Sequence, residues 1–116
     1  MSSTGSHHDI SVAEQPNGDA VVVVRGEIDV DALPALWASI DTARADGRRP
    51  LVIDMAGTTF LDSAGLYALV RAHQMQTEAE APMTLRSPAP QVLDVLALAG
   101  VQDLFPIEPD GAGAGA

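Results

Sequence analysis

Cysteine is absent from this chain of 116 residues, which excludes disulfides, thiol catalysis and thiolate metal sites. Lysine is absent as well. Six arginines face 16 acidic residues, for a net charge of −10. Nucleic-acid affinity rests mainly on cationic contacts to phosphate, so neither DNA nor RNA is expected as a partner. No basic run offers a patch to an anionic lipid surface, and direct membrane binding is not expected either. Aromatics are few: Trp37, Phe60, Tyr67 and Phe105. Aliphatic residues and alanine must therefore do most of the packing. No apolar run is long enough to span a bilayer or to form a signal-peptide core, and the default expectation is a cytoplasmic location. His7 and His8 have only Asp9 as a nearby carboxylate, so no metal site and no cofactor is expected there.

What is present suffices for one domain. The apolar fraction of 47% can supply a core that buries roughly two-thirds of the unfolded surface at this size. The acidic surface suits a partner with a basic face, and it also serves solubility. Met1 to His8 are small and polar and are expected to be disordered. Residues 110–116, rich in glycine and alanine, read as a flexible tail. The domain proper is placed at residues 9–109.

Ile10, Val12 and Ala13 give an opening strand. Pro16-Asn17-Gly18-Asp19 is a turn signal that makes a hairpin with the next strand. Ala20 to Val24 is a β-branched run suited to a buried central strand. A helix follows, with Leu33, Leu36, Trp37, Ile40 and Ala43 on one face. Either Asp29 or Asp31 can cap it. Asp31 is preferred, because Pro34 then falls in the first turn, where no amide donor is needed. Gly47 is the expected stop.

Leu51-Val52-Ile53 forms a short buried strand that ends at Asp54. A second helix is expected from Asp62 to Ala79, with Leu66, Leu69, Val70 and His73 inward. Met83-Thr84-Leu85 is the next strand. Ser87-Pro88 reads as a third helix start, serine as cap and proline at the first helical position. Val92, Leu93, Leu96 and Ala99 form its buried stripe, Gly100 stops it, and Leu104-Phe105 packs back on the core. Strands alternating with helices imply an α/β fold with a small mixed sheet. Strand ends and helix starts gather on one edge of such a sheet, where Asp29, Asp54 and Ser63 are expected to converge.

Asp62-Ser63-Ala64-Gly65-Leu66 lies at that edge. Ser63 is expected to be exposed, at a helix start and beside an acid. A serine there often serves only as a helix cap. Asp62 is the other candidate cap, and Gly65 reads as a site of close approach by a neighbouring segment or a partner. Asp54 reads as a loop-ordering acceptor, His73 as a boundary histidine and Trp37 as a core anchor. An esterase-type nucleophile elbow needs Gly-x-Ser-x-Gly, but Leu61 stands at the first glycine's place.

The chain resembles the STAS domain family, and within it the bacterial anti-sigma factor antagonists. The likeness rests on Gly26-Glu27-Ile28-Asp29 and on Val52-Ile53-Asp54-Met55, followed by Phe60-Leu61-Asp62-Ser63-Ala64-Gly65-Leu66. Ser87-Pro88 before Val92-Leu93, and Leu98-Ala99-Gly100-Val101 before Leu104-Phe105, complete it. The resemblance implies a STAS-like single domain that regulates rather than catalyses. It implies binding to an anti-sigma factor that is also a serine kinase, with release of a sigma factor. Phosphorylation of Ser63 would end the binding, and a phosphatase would restore it. Asp29, Asp62, Ser63, Ala64, Gly65 and Leu66 would form the partner surface. Thr58 and Thr59 are a lesser alternative for phosphorylation. The family also carries another expectation: a STAS subunit of a lipid-transport ATPase complex, or a stress-signalling scaffold, with Ser63 as a partner contact.

Overall fold

The valine run of the second strand organises the molecule. In the computed structural model, which describes residues 7–45 and 49–109, Val21, Val22 and Val24 are buried. They lie in β2 (Ala20–Ile28), which pairs antiparallel with β1 (His8–Glu14) through the expected turn at Pro16 to Asp19. The Gln15 amide closes that turn on the Asp19 carbonyl at 2.7 Å. His8 is already paired with Gly26, so β1 begins inside the segment for which disorder is expected. Residues 1–6 and 110–116 lie outside the described residues, as does Gly47.

After β2, Asp29 caps a single 3-10 turn (Val30–Ala32), and α1 (Leu33–Arg44) follows with Pro34 in its first turn. Asp31 caps neither segment: Asp29 caps the 3-10 turn, and α1 has Ala32 at its cap position with no side-chain cap. The 3-10 turn separates the cap from the helix proper, so the proline does not conflict with an early start. Leu36, Ile40 and Ala43 are buried, and Trp37 packs half-buried against the core.

Next come β3 (Leu51–Asp54), β4 (Thr58–Leu61), α2 (Ser63–Glu78), β5 (Met83–Arg86), α3 (Pro90–Ala99) and β6 (Ile107–Glu108). The sheet order is β1-β2-β3-β5-β6, with β4 also on β2, and every pairing except β1–β2 is parallel. It is a mixed six-stranded α/β sheet.

The arrangement of β3 and β4 positions the site. Both pair with β2, one after the other, as an interrupted strand: Asp54 is level with Val23, and Leu61 with Ile28. The interruption is stitched by side chain and backbone. The Thr58 hydroxyl donates to the Val24 carbonyl at 2.8 Å, and the Gly26 amide to the Gly57 carbonyl at 2.9 Å. Gly26, with φ +88°, occurs where the register shifts, and a Cβ there would collide with the His7 carbonyl. Glycine tolerates both demands.

Two helix faces differ from their expected stripes. In α2 the buried residues are Gly65, Ala68, Leu69, Ala72 and Gln76, while Leu66 and Val70 are half-buried. Small residues there let the helix lie close to its neighbours. In α3, Val92 and Leu96 are buried but Leu93 is exposed. That helix also starts later than Ser87-Pro88 suggested: Ala89 is its cap residue and Pro90 takes the first helical position. Ser87 instead adopts φ +51°, its amide bonded to the Glu108 carbonyl at 2.7 Å, which ties it to the sheet edge. Gly100 ends α3 in the left-handed conformation, as expected.

Candidate functional site

Ser63 is the first residue of α2, and it is exposed. The cap of that helix is Asp62. Its Oδ1 accepts the amides of Ala64 at 2.9 Å and Gly65 at 3.1 Å. Two of the free donors of the first turn are thereby satisfied by the aspartate. The capping role that would explain a serine structurally is already filled, and the Ser63 hydroxyl stands outside it.

The site is built by the ends of β2 and β4. Ile28 and Leu61 are partners in the parallel register, so Asp29 and Asp62 are the next residues of two neighbouring strands. The Asp62 amide donates to the Ile28 carbonyl at 3.2 Å, which locks the two ends together. Asp29 in turn accepts the Asp31 amide at 3.1 Å. Each aspartate therefore orders the start of the segment that follows it, and both flank the serine.

Gly65 explains how close this packing is. A Cβ there would lie 2.6 Å from Leu61 Cδ1, 2.9 Å from Ile28 Cγ2 and 3.0 Å from the Ile28 carbonyl oxygen. Gly65 is turned inward and shapes the surface from beneath. Leu66 is half-buried against the core. Asp29, Asp62, Ser63 and Ala64 keep some exposure at the surface.

Asp54 does not join them. It ends β3 level with Val23, on the order of 15–20 Å of strand short of Asp29. Its carboxylate orders the following turn by accepting the Ala56 amide at 3.0 Å. Of the two threonines before the serine, Thr58 is buried with its hydroxyl engaged, so it is not open to modification, whereas Thr59 is exposed. His73 is a boundary residue that meets Phe105 edge-on at a centroid distance of 5.5 Å.

Three exposed apolar side chains lie on the elements that meet at the serine, and the sequence alone does not single them out. Val30 is 63% exposed, Phe60 49% and Tyr67 68%. Val30 follows Asp29, Phe60 precedes Leu61-Asp62, and Tyr67 is one helical turn after Ser63, on the same face. Two of the chain's four aromatics thus lie exposed on the segments that flank Ser63 in sequence. Their signal was present: aromatics in an aromatic-poor chain, one of them at i+4 from the serine.

The arrangement defines a small α/β domain that presents a serine, acids and apolar side chains on an open surface. Among the described residues no helix is long and apolar enough to cross a membrane. A family model described as Mlab, STAS domain, matches residues 11–106, and the chain belongs to the STAS domain family. It is similar to the anti-sigma-F factor antagonist RsfB of Mycobacterium tuberculosis, 42% identical over 60 residues, which is 52% of this chain and 48% of that protein. The chain thus spans about half the length of the curated relatives it matches. Among solved structures it is similar to an anti-sigma factor antagonist from Mycobacterium paratuberculosis, with 29% identity, TM-score 0.79 and coverage of 97% of this chain and 96% of that one. The Bacillus cell fate determinant SpoIIAA in its phosphorylated form shares the fold, with 18% identity, TM-score 0.69 and coverage of 92% and 97%.

Proposed function

We propose that this protein is an anti-sigma factor antagonist with a binding switch at Ser63. The free hydroxyl form binds an anti-sigma factor that is a serine kinase, and a sigma factor is released. Transfer of the ATP γ-phosphoryl group to Ser63 Oγ, with loss of the hydroxyl proton, gives ADP and a phosphoserine that no longer binds. A phosphatase hydrolyses the ester and restores the hydroxyl. The chain acts as a regulator and not as an enzyme.

The observation that carries this reading is the division of labour at the helix start. Asp62 makes the cap, and Ser63 is left exposed beside it. The names of the relatives support the choice of partner. A phosphate on Ser63 adds about −1.5 to −2 charges at pH 7. The amides of Ala64 and Gly65 are already bonded to Asp62, so the new charge has no ready partner in them. Covered by a binding partner without compensation, such a charge would remove several kcal/mol of affinity. Val30, Phe60 and Tyr67 supply the apolar part of the docking surface.

The test is incubation with cognate candidate kinases and ATP, followed by phosphosite mapping. Phosphate is expected on Ser63, with no labelling of Ser63→Ala. Continued labelling of that variant would refute the assignment.

Membership of the STAS family is also compatible with a second reading: a STAS subunit of a lipid-transport ATPase complex, with Ser63 a partner contact. Co-purification with the ATPase of a membrane complex, in place of a serine kinase, would select it.

A further inference from the structure

We infer that β1 is a self-association edge, on which a second copy of this chain adds antiparallel to form one continuous sheet across a dimer. The inference does not depend on the function proposed above.

β1 is the outer strand of the sheet, seven residues long, with an unbroken register from His8 to Glu14 against β2. Among the described residues no strand pairs with its other side. An edge of this kind is a template for pairing, and proteins that avoid it use lysine, proline, a bulge or a very short strand. β1 has no lysine, proline or bulge and is not short; its only guards of this kind are the acids Asp9 and Glu14. Its sequence, His-Asp-Ile-Ser-Val-Ala-Glu, contains no proline, and its seven pairs with β2 run without a shift.

The strand is complementary to itself. In the fully overlapped antiparallel register, Ser11 meets Ser11 of the second copy. Ile10 then meets Val12, Asp9 meets Ala13, and His8 meets Glu14. No acid faces an acid. Residues directly opposite in an antiparallel pair share a face. Ile10 and Val12 are half-buried against the core, so their pairing would extend the apolar layer from one copy to the next. Asp9, Ser11 and Ala13 are exposed on the other face. The register makes a second copy the fitting occupant, because it sets each acid against Ala13 or His8; the net charge of −10 opposes the association and weakens it at low salt. The edge is lateral to the strand tip that carries Ser63, so each copy would keep its own serine face open.

The register gives an unambiguous test, because the native chain has no cysteine. Opposed residues in an antiparallel pair have Cα atoms about 4.5–5.5 Å apart, within the range a disulfide spans. Full-length Ser11→Cys should form a disulfide-linked dimer under mild oxidation much faster than Thr77→Cys, an exposed control on α2. Sedimentation of the unmodified protein should show a concentration-dependent monomer–dimer equilibrium that tightens as salt rises and screens the net charge. Ala13→Asp, which sets an acid against Asp9 at two symmetric places, should weaken it about five- to tenfold, and Ala13→Arg should tighten it by a similar factor. Equal cross-linking of the two cysteine variants would overturn the inference. So would an unmodified protein that stays monomeric into the millimolar range, or equal effects of Ala13→Asp and Ala13→Arg.

Discussion

The carboxylate of Asp62 accepts the amide of Gly65 at 3.1 Å, and this bond, with its companion to Ala64 at 2.9 Å, caps the helix that begins at Ser63. Asp62→Ala removes the acceptor for both amides. It should lower stability by about 1 kcal/mol, within the 0.5–2 kcal/mol range of cap losses. Chemical denaturation should show the loss as a lower midpoint with an unchanged slope. Ser63→Ala should leave the midpoint nearly unchanged. Equal losses at the two positions would mean that the serine shares the cap.

Gly65→Ala tests how tightly the helix start is packed. The change would favour the helix by about 1 kcal/mol in an open setting. Here the added methyl would meet Leu61, Ile28 and the Ile28 carbonyl at 2.6–3.0 Å. Overpacking of this kind costs about 1–3 kcal/mol, so the variant should be less stable than the parent. A gain in melting temperature would show that the segment yields easily.

Gln76 is a buried polar side chain with no slack. It accepts from Arg44 Nε at 2.6 Å and donates to the carbonyls of Arg49 at 2.9 Å and Pro82 at 3.0 Å. It thereby ties α2 to the end of α1 and to the segments leading into β3 and β5. Gln76→Leu should cost about 1–3 kcal/mol, because it leaves Arg44 Nε and the Arg49 carbonyl without this partner, while the Pro82 carbonyl keeps the Leu51 amide; Ser63 phosphorylation should stay intact in the fraction that is folded. Thermal unfolding followed by phosphorylation of the refolded protein checks both halves.

Tyr67→Ala and Phe60→Ala separate binding from folding. Tyr67 is largely exposed and Phe60 about half exposed, so stability should change by no more than about 0.5 kcal/mol for Tyr67→Ala and about 1 kcal/mol for Phe60→Ala. Exposed aromatics that become buried at an interface are frequent hot spots, and each change should weaken binding to the anti-sigma factor by about 1–2 kcal/mol, or roughly five- to thirtyfold. Titration calorimetry with unchanged affinity for both variants would move the docking surface elsewhere.

Much of this fold was legible because local signals agreed with one another. The hairpin turn at Asn17-Gly18, the valine run of β2, the Asp62 start of α2 and the Gly100 stop of α3 each followed from residue chemistry. β4 was not legible. In Thr58–Leu61 the two end residues are buried and the middle two exposed, a pattern that does not alternate, and its hydrogen bonds go to a distant part of β2. Without β4 the sequence puts Asp54 beside Asp29, although a strand length separates them. The start of α3 was misread because Ser87-Pro88-Ala89-Pro90 offers two prolines, and only the contact of Ser87 with Glu108 decides between them. The exposed position of Ser63 at the start of α2 was legible from its motif. The apolar rim formed by Val30, Phe60 and Tyr67 was not, because it depends on which side chains the tertiary packing leaves uncovered.

The central claim is that charge at Ser63 acts on binding and not on the fold. The direct measurement compares the unphosphorylated protein with its stoichiometrically phosphorylated form, by affinity for the anti-sigma factor and by thermal unfolding. The account predicts a loss of affinity of about a hundredfold or more, corresponding to roughly 3 kcal/mol, with a melting temperature shifted by only a few degrees. Equal affinity of the two forms, or a phosphorylated domain that has unfolded, would contradict it.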